Sequence, residues 1–185
     1  GKISNRANHC SICLGKEKRI MLVDLRKDKP KYFSVPDEDY RLVVCNTNER
    51  IDNPQKVCNE RISECSVGVK GLRLYIWGIK NLRDISLEFL TKHKHVLPFS
   101  LYCRCLYNVK EKLRVNESLT FLRKNNFKEF GNMIFESHKS LSEEYEISTP
   151  KIDYLVDCAS KIDGVLGSKI ICCSDYESTY NLVKA

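Results

Sequence analysis

The sequence predicts an α+β fold, with strands opening and closing the chain and helices between them. Three observations predict it. Short apolar runs of strand length precede residue 50, apolar residues recur at three- and four-residue steps through the middle, and two strand-like runs follow residue 168. Arg19-Ile20-Met21-Leu22-Val23-Asp24-Leu25 reads as a buried strand, and Lys31-Tyr32-Phe33-Ser34-Val35-Pro36 as its partner across an Asp28-Lys29-Pro30 turn. Tyr40 to Asn46 is a third strand, and its apolar run predicts burial on both faces.

Pro54 opens a helix through Asn59 to Cys65, which Gly68 and Gly71 are expected to break. Ser86 caps a short helix ending at Lys92. A long helix runs from about Phe99 to Leu122, with Leu106, Val109, Leu113, Ser118 and Leu119 at helical spacing, and Asn125-Asn126 ends it. Phe127 starts another helix that reaches Leu141. Pro150 starts the last, with Ile152, Leu155, Val156 and Ala159 inward. Lys169 to Cys173 and Thr179 to Val183 close the chain as strands. They need sheet partners, and Gly71 to Trp77 is the remaining candidate; an incomplete sheet would leave open, association-prone edges. Tyr75, Trp77 and Phe89 are assigned to the core.

The 185 residues suffice for one domain, or one domain plus part of another. No apolar run is long enough to span a membrane and no signal peptide opens the chain, so no membrane partner is expected. The start at Gly1-Lys2, without Met, is what a fragment would show. Lys and Arg number 31 against 24 Asp and Glu, a balance of +7, which raises nucleic acid as a partner. The positive residues are scattered, however. The densest patches, Lys16-Glu17-Lys18-Arg19 and Arg26-Lys27-Asp28-Lys29, are interrupted by acids and read as solvated turns, so nucleic-acid binding is not expected. Ten cysteines without an export signal, several of them in apolar runs, read as small buried hydrophobes in a reducing cytoplasm.

Five segments carry a family signal. They are Leu14-Gly15-Lys16-Glu17, Val44-Cys45-Asn46-Thr47-Asn48, Asn59-Glu60-Arg61-Ile62-Ser63-Glu64-Cys65, the stretch from Phe130-Gly131 through Glu136-Ser137-His138-Lys139-Ser140-Leu141 to Tyr145-Glu146, and Gly167-Ser168-Lys169-Ile170. In this order and spacing the chain resembles the galactokinases of the GHMP kinase superfamily. The resemblance covers nearly all of the chain and is most specific in the Glu-Ser-His-x-Ser-Leu-x-x-x-Tyr-Glu pattern. It implies a GHMP-kinase-like fold: residues 1–45 as the tail of the N-terminal, catalytic-loop domain, and 46–185 as the C-terminal domain of helices on an antiparallel sheet, lacking its last elements. It also implies a parent activity, transfer of the γ-phosphoryl of ATP to the C1 hydroxyl of galactose with Mg2+, a reaction that rests on positioning and charge neutralisation.

The residues expected to touch ligands depart from the family pattern. The Gly-rich phosphate loop and the Gly-Glu-His segment do not occur in these residues. Anchoring on Leu14-Gly15-Lys16-Glu17 puts the family's catalytic Asp at Asn8 and the adjacent Gln at His9. An Asn amide has no useful basicity, and loss of a general base typically slows a reaction about 10²–10⁴-fold. The family's sugar-contacting Tyr falls at Cys58, whose thiol lacks the phenol's reach and strong O–H donor. The second Gly-rich motif falls on Ile171-Cys172-Cys173-Ser174-Asp175-Tyr176-Glu177-Ser178, where no glycine remains and Asp175 and Glu177 add negative charge. Cys172, Cys173, Ser174 and Asp175 thus occupy the nucleotide-binding position. The family's Arg-Ala-Arg-His appears as Arg104-Cys105-Leu106-Tyr107. The expectation is a degenerate galactokinase-family chain, inactive on its own and binding neither ATP nor Mg2+ unaided, with a missing N-terminal half as candidate partner. The alternative is a non-catalytic GHMP-fold sensor or partner-binding protein.

Other constellations have blander readings. Cys10-Ser11-Ile12-Cys13 with His93, His95, Cys103 and Cys105 offers zinc ligand types but no matching second knuckle, so no metal is expected. His138 reads as a packing histidine that lines a site at most. Ser137 and Ser140 lack a nucleophile elbow. Glu143-Glu144 and Asp153-Asp157 read as solvated helix ends.

Overall fold

The structure, a computed structural model, describes residues 6–24, 26, 29–35, 39–50, 52–172 and 176–184. After α1 (Arg6–Leu14), strands β1 (Arg19–Leu22) and β2 (Lys31–Ser34) form an antiparallel hairpin. The long β3 (Tyr40–Arg50) follows, then α2 (Pro54–Leu72), α3 (Leu87–Lys92), α4 (Phe99–Arg123), α5 (Phe127–Glu143), α6 (Pro150–Ser160), β4 (Val165–Ile170) and β5 (Tyr176–Lys184). The second sheet is antiparallel in the order β3-β5-β4, with Ile170 opposite Thr179 and Val44 opposite Tyr180. Helices on an antiparallel sheet give the α+β class that the sequence predicts. Position 45 falls inside β3, which pairs with β5 on both sides of it.

Local chemistry sets the helix starts. The side chains of Asn53, Ser86, Asn126 and Thr149 each accept a backbone N–H from the first turn of the helix that follows. Asn81 and Asp84 form a reciprocal cap on a 3₁₀ turn at Leu82–Asp84. Asn125, at φ 52°, turns the chain between α4 and α5.

Three apolar clusters result. One joins α2, α3 and α4 through Val69, Leu72, Leu90, Leu97, Cys105 and Val109. The second gathers Leu122, Phe127, Ile134 and Leu182, with Ile20 and Phe33 of the hairpin against them. The third packs Leu141, Ile152 and Ile170 beside Tyr107 and Tyr145.

Four expectations are corrected. Gly68 and Gly71 do not end α2, which continues to Leu72. They sit where α4 and the residues before it approach: a Cβ on Gly68 would lie 2.4 Å from Cys105 Sγ, and one on Gly71 3.0 Å from Leu97. Glycine here lets two helices touch rather than breaking one. Second, β3 is not buried on both faces. Among the described residues it is an edge strand paired only with β5, and Leu42 and Val44 are 66% and 59% exposed. Third, Gly71 to Trp77 supplies no strand; the closing strands pair with each other and with β3. Fourth, Trp77 is 99% exposed and Tyr75 is also exposed. Their segment is a turn drawn tight by the Arg73 guanidinium, which donates to the carbonyls of Ile79 and Lys80 at 2.7 and 3.1 Å. That turn points both rings outward.

The closest approach in the fold is between α5 and β4. A Cβ on Gly131 would fall 2.1 Å from the Leu166 carbonyl oxygen, and one on Gly167 2.6 Å from the Gly131 carbonyl oxygen. Backbone lies on backbone, and no side-chain rotation can relieve an added methyl. Gly131→Ala should therefore lower stability by about 2–3 kcal/mol despite alanine's better helix propensity, read as a shift in urea midpoint at unchanged slope.

Candidate functional site

The glycine contact brings the Ser137-His138 segment of α5 against Lys169-Ile170 of β4. Facing them, α4 carries Glu111 and Arg114. Ser137 Oγ donates to Glu111 Oε1 at 2.6 Å, Lys169 Nζ donates to the same oxygen at 3.0 Å and to Ser137 Oγ at 2.5 Å, and Arg114 Nε donates to Glu111 Oε2 at 2.8 Å. Burial pushes the Glu111 carboxyl upward. Lys169 first, then Ser137 and Arg114, outweigh it and hold the carboxyl below its usual range. Two cations against one carboxylate leave the cluster with an excess positive charge.

These four residues form the polar floor of a cavity of about 990 Å³. Its walls are mostly apolar, with Ile20 and Phe33 of the hairpin, Leu119 of α4, Phe130 and Met133 of α5, and Tyr180 of β5, and Lys18, Arg19 and Arg41 also line it. A large apolar concavity with a few convergent polar groups is the usual form of a ligand or docking site. Lys169 retains one N–H after its two bonds, and Arg114 Nη2 is buried without a hydrogen-bond partner among the described residues. Both can take an anionic oxygen. No group of three metal-ligating side chains occurs among the described residues.

His138 lies beside this floor and faces away from it. Its Nδ1 accepts the Ile170 N–H at 3.4 Å, and its Nε2 lies 3.2 Å from Asp153 Oδ1 of α6. The accepting Nδ1 places the ring proton on Nε2, toward the carboxylate. Burial lowers the His138 pKa, against the opposing pull of Asp153. The ring therefore ties α5 to β4 and α6 in its neutral form, as a packing residue. Asp153 also accepts from Ser142 at 2.6 Å, and the half-buried Glu144 pairs with Lys110. Neither acid is the solvated helix end expected of it.

A second polar cluster joins the helix motifs. Arg104, almost fully buried, bonds Glu64 at 3.2 Å, Glu146 at 2.5 Å and the Glu144 carbonyl. Arg61 donates to the carbonyls of Tyr145 and Glu146 at 2.7 and 3.0 Å. The Asn59 to Cys65 motif, the remaining cation of Arg104 to Tyr107, and Tyr145-Glu146 thus meet in one place, where Arg61, Glu64 and Arg104 are held by protein groups.

Of the site residues read from sequence, the structure describes the side chains of Cys58 and Cys172. Asn8 lies in α1, and its side chain is outside the described residues. Cys58 lies on α2, 8% exposed and disulfide-bonded, which corrects its reading as a free thiol. Cys172 is half-buried, packs against the third apolar cluster, and its thiol is pushed up by burial. Cys173, Ser174 and Asp175 lie outside the described residues. Around them Ile171 donates to the Ser178 carbonyl at 2.9 Å, closing a β4–β5 hairpin. Sequence reasoning missed Glu111, Arg114 and the role of Lys169. A signal was present: Arg104, Tyr107, Glu111, Arg114, Ser118 and Leu122 recur at three- and four-residue steps, a second inward stripe of mostly polar residues.

Two measurements follow from this geometry. Removing Glu111 strands Lys169 in a buried position, so Glu111→Ala should lower stability by about 3–5 kcal/mol. Adding Lys169→Met should recover much of that loss, giving strong non-additivity in a double-mutant cycle. For His138 the folded pKa lies below the unfolded one. Its contribution is complete above about pH 6.5 and is lost as pH falls through the folded value. Urea midpoints should drop between about pH 7 and pH 5, and His138→Asn, whose amide oxygen can still accept the Ile170 N–H, should flatten that drop.

Comparison with known proteins agrees with the architecture. Residues 118–172 match the family described as GHMP kinases C terminal. A galactokinase of Roseiflexus sp. (strain RS-1) is 31% identical over 156 residues, covering 84% of this chain and 40% of the relative. One from Staphylococcus saprophyticus is 31% identical over 160 residues, covering 86% and 41%. The crystal structure of Lactococcus lactis galactokinase complexed with galactose superposes with a TM-score of 0.82 at 26% identity, over 90% of this chain and 43% of that one. The chain spans about two fifths of the length of the curated relatives it matches. Over the part of the fold that it spans, the chain is galactokinase-like, with a GHMP kinase C-terminal segment at residues 118–172.

Proposed function

We propose that the chain derives from an enzyme that phosphorylates galactose at C1 with ATP and Mg2+, and that these 185 residues do not carry out that reaction unaided. Cys58 is the observation that supports this most directly. At the position of the family's sugar-contacting Tyr stands a buried, disulfide-bonded sulfur with no hydroxyl to offer. Asn8 at the catalytic Asp position and the glycine-free stretch from Ile171 to Ser178 point the same way. So does the second polar cluster, where Arg61, Glu64, Arg104 and Glu146 bond each other and backbone carbonyls. We place the chain in a reducing cytoplasm on the eight free thiols among its described cysteines, with the Cys58 disulfide as the exception.

The open apolar cavity favours a second reading, a non-catalytic role in which this face binds a partner. The partner we propose is the complementary N-terminal half of a galactokinase fold. The cavity walls and the exposed Leu42 and Val44 of β3 are the apolar surface such a half would cover.

Calorimetric titration of the 185-residue chain with Mg-ATP and with galactose should give no binding heat, and a coupled assay no turnover, in the wild type and in Asn8→Asp alike. Heat with either ligand, or phosphorylation by Asn8→Asp, overturns the inactive reading. Co-expression with the N-terminal half of the Roseiflexus galactokinase should yield a co-purifying pair that Leu119→Glu weakens at least about tenfold. Absence of the pair overturns the second reading and leaves the first to the titration.

A further inference from the structure

Cys65 and Cys105 face each other across the α2–α4 contact. Cys105 is fully buried and belongs to the apolar cluster between these helices. Its Sγ points at α2, since it lies where a Cβ on Gly68 would fall, one turn beyond Cys65. Cys65 Sγ lies 3.7 Å from the carbonyl oxygen of Arg104, the residue bonded to Cys105, and the two thiols are near enough to shift each other's titration. Cys65 receives a further N–H from Asn108 Nδ2 at 3.3 Å and a hydrogen bond from Tyr145. The Cys65 thiol is lowered, chiefly by the neighbouring Cys105 and against burial, while Cys105 is raised.

Cys65 is also reachable. It is partly exposed and lines a cavity of about 490 Å³ whose other residues include Lys70, Arg73, Lys80 and Arg83, with no carboxylate among them. Arg83 is paired with Asp24 and Arg73 with backbone carbonyls. The field at the mouth still favours an anion.

We propose that Cys65 and Cys105 form a redox modification site, in which Cys65 takes up a small anionic disulfide of the glutathione class and Cys105 resolves the adduct into an internal Cys65–Cys105 bond. In the first step the Cys65 sulfur attacks one sulfur of the oxidant. The oxidant's S–S bond breaks, a mixed disulfide forms on Cys65, and one small thiol leaves with a proton. In the second, the Cys105 sulfur attacks Cys65 Sγ, and its proton leaves with the second small thiol. Two protein thiols are oxidised and one small disulfide is reduced to two thiols. The buried Cys105 is out of the oxidant's reach, which fixes the order of the steps. The proposal is independent of whether the chain phosphorylates anything.

Trypsin isolates each thiol: Cys65 alone in residues 62–70 and Cys105 alone in residues 105–110. The folded 185-residue chain, treated with glutathione disulfide and digested without reductant, should yield these two peptides joined. Dithiothreitol should separate them. Cys105→Ala should stop the reaction at a glutathione adduct on residues 62–70. Cys65→Ser should leave residues 105–110 unmodified. Cys65 should react about tenfold faster than the exposed Cys13 in native buffer and lose that advantage in concentrated urea. An adduct that persists on Cys65 in the wild type, or a Cys65 rate no greater than that of Cys13, overturns the proposal.

Discussion

The fold depends on one contact without side chains. Gly131 of α5 and Gly167 of β4 meet backbone to backbone, at distances that no Cβ can enter. This sets the height of α5 above the sheet, and much else follows from that height. Ser137 and Lys169 come within hydrogen-bond reach, His138 reaches the Ile170 amide, and the α5 side chains Ile134 and Leu141 fill the space to Leu182 and Ile170. A helix held one methyl farther away would leave the Glu111 cluster with gaps that neither water-free packing nor long side chains could close.

The sequence segments most like the galactokinases turn out to be the ones that bond to each other. Arg61, Glu64 and Arg104 clamp the Tyr145-Glu146 turn, while Ser137 and Lys169 share Glu111. Buried ionic groups are costly to disturb one at a time, because each change leaves a partner without its counter-charge. Such residues are held in place by one another. Retained motifs in this chain therefore speak to the scaffold more than to a reaction.

Much of the architecture was legible because it is local. The cap at Ser86, the start at Pro150 and the period of α4 are written in neighbouring residues. What escaped is set by distant partners. Gly68 looks like a helix breaker until Cys105 is seen against it, and Tyr40 to Asn46 looks like a central strand until the sheet is found to stop there. Trp77 looks like core until the Arg73 turn is seen to aim it at solvent. The polar floor was half visible: Ser137 and Lys169 lie in recognised motifs, whereas Glu111 and Arg114 sit in a helix whose apolar stripe draws the eye. The Cys58 disulfide had no sequence signal at all.

The 25 residues of α4, a rod of about 37 Å, run through every layer of the molecule. The helix gives Cys105 and Val109 to the first apolar cluster, Tyr107 to the third and Leu122 to the second, and it carries the anchor of each polar cluster, Arg104 and Glu111. The helices packed on this rod lose their main partner if it frays. The slowest amides to exchange with solvent would then belong to α4, all opening in a single event shared with α5 and β4. Changes on the rim of the molecule leave that event untouched.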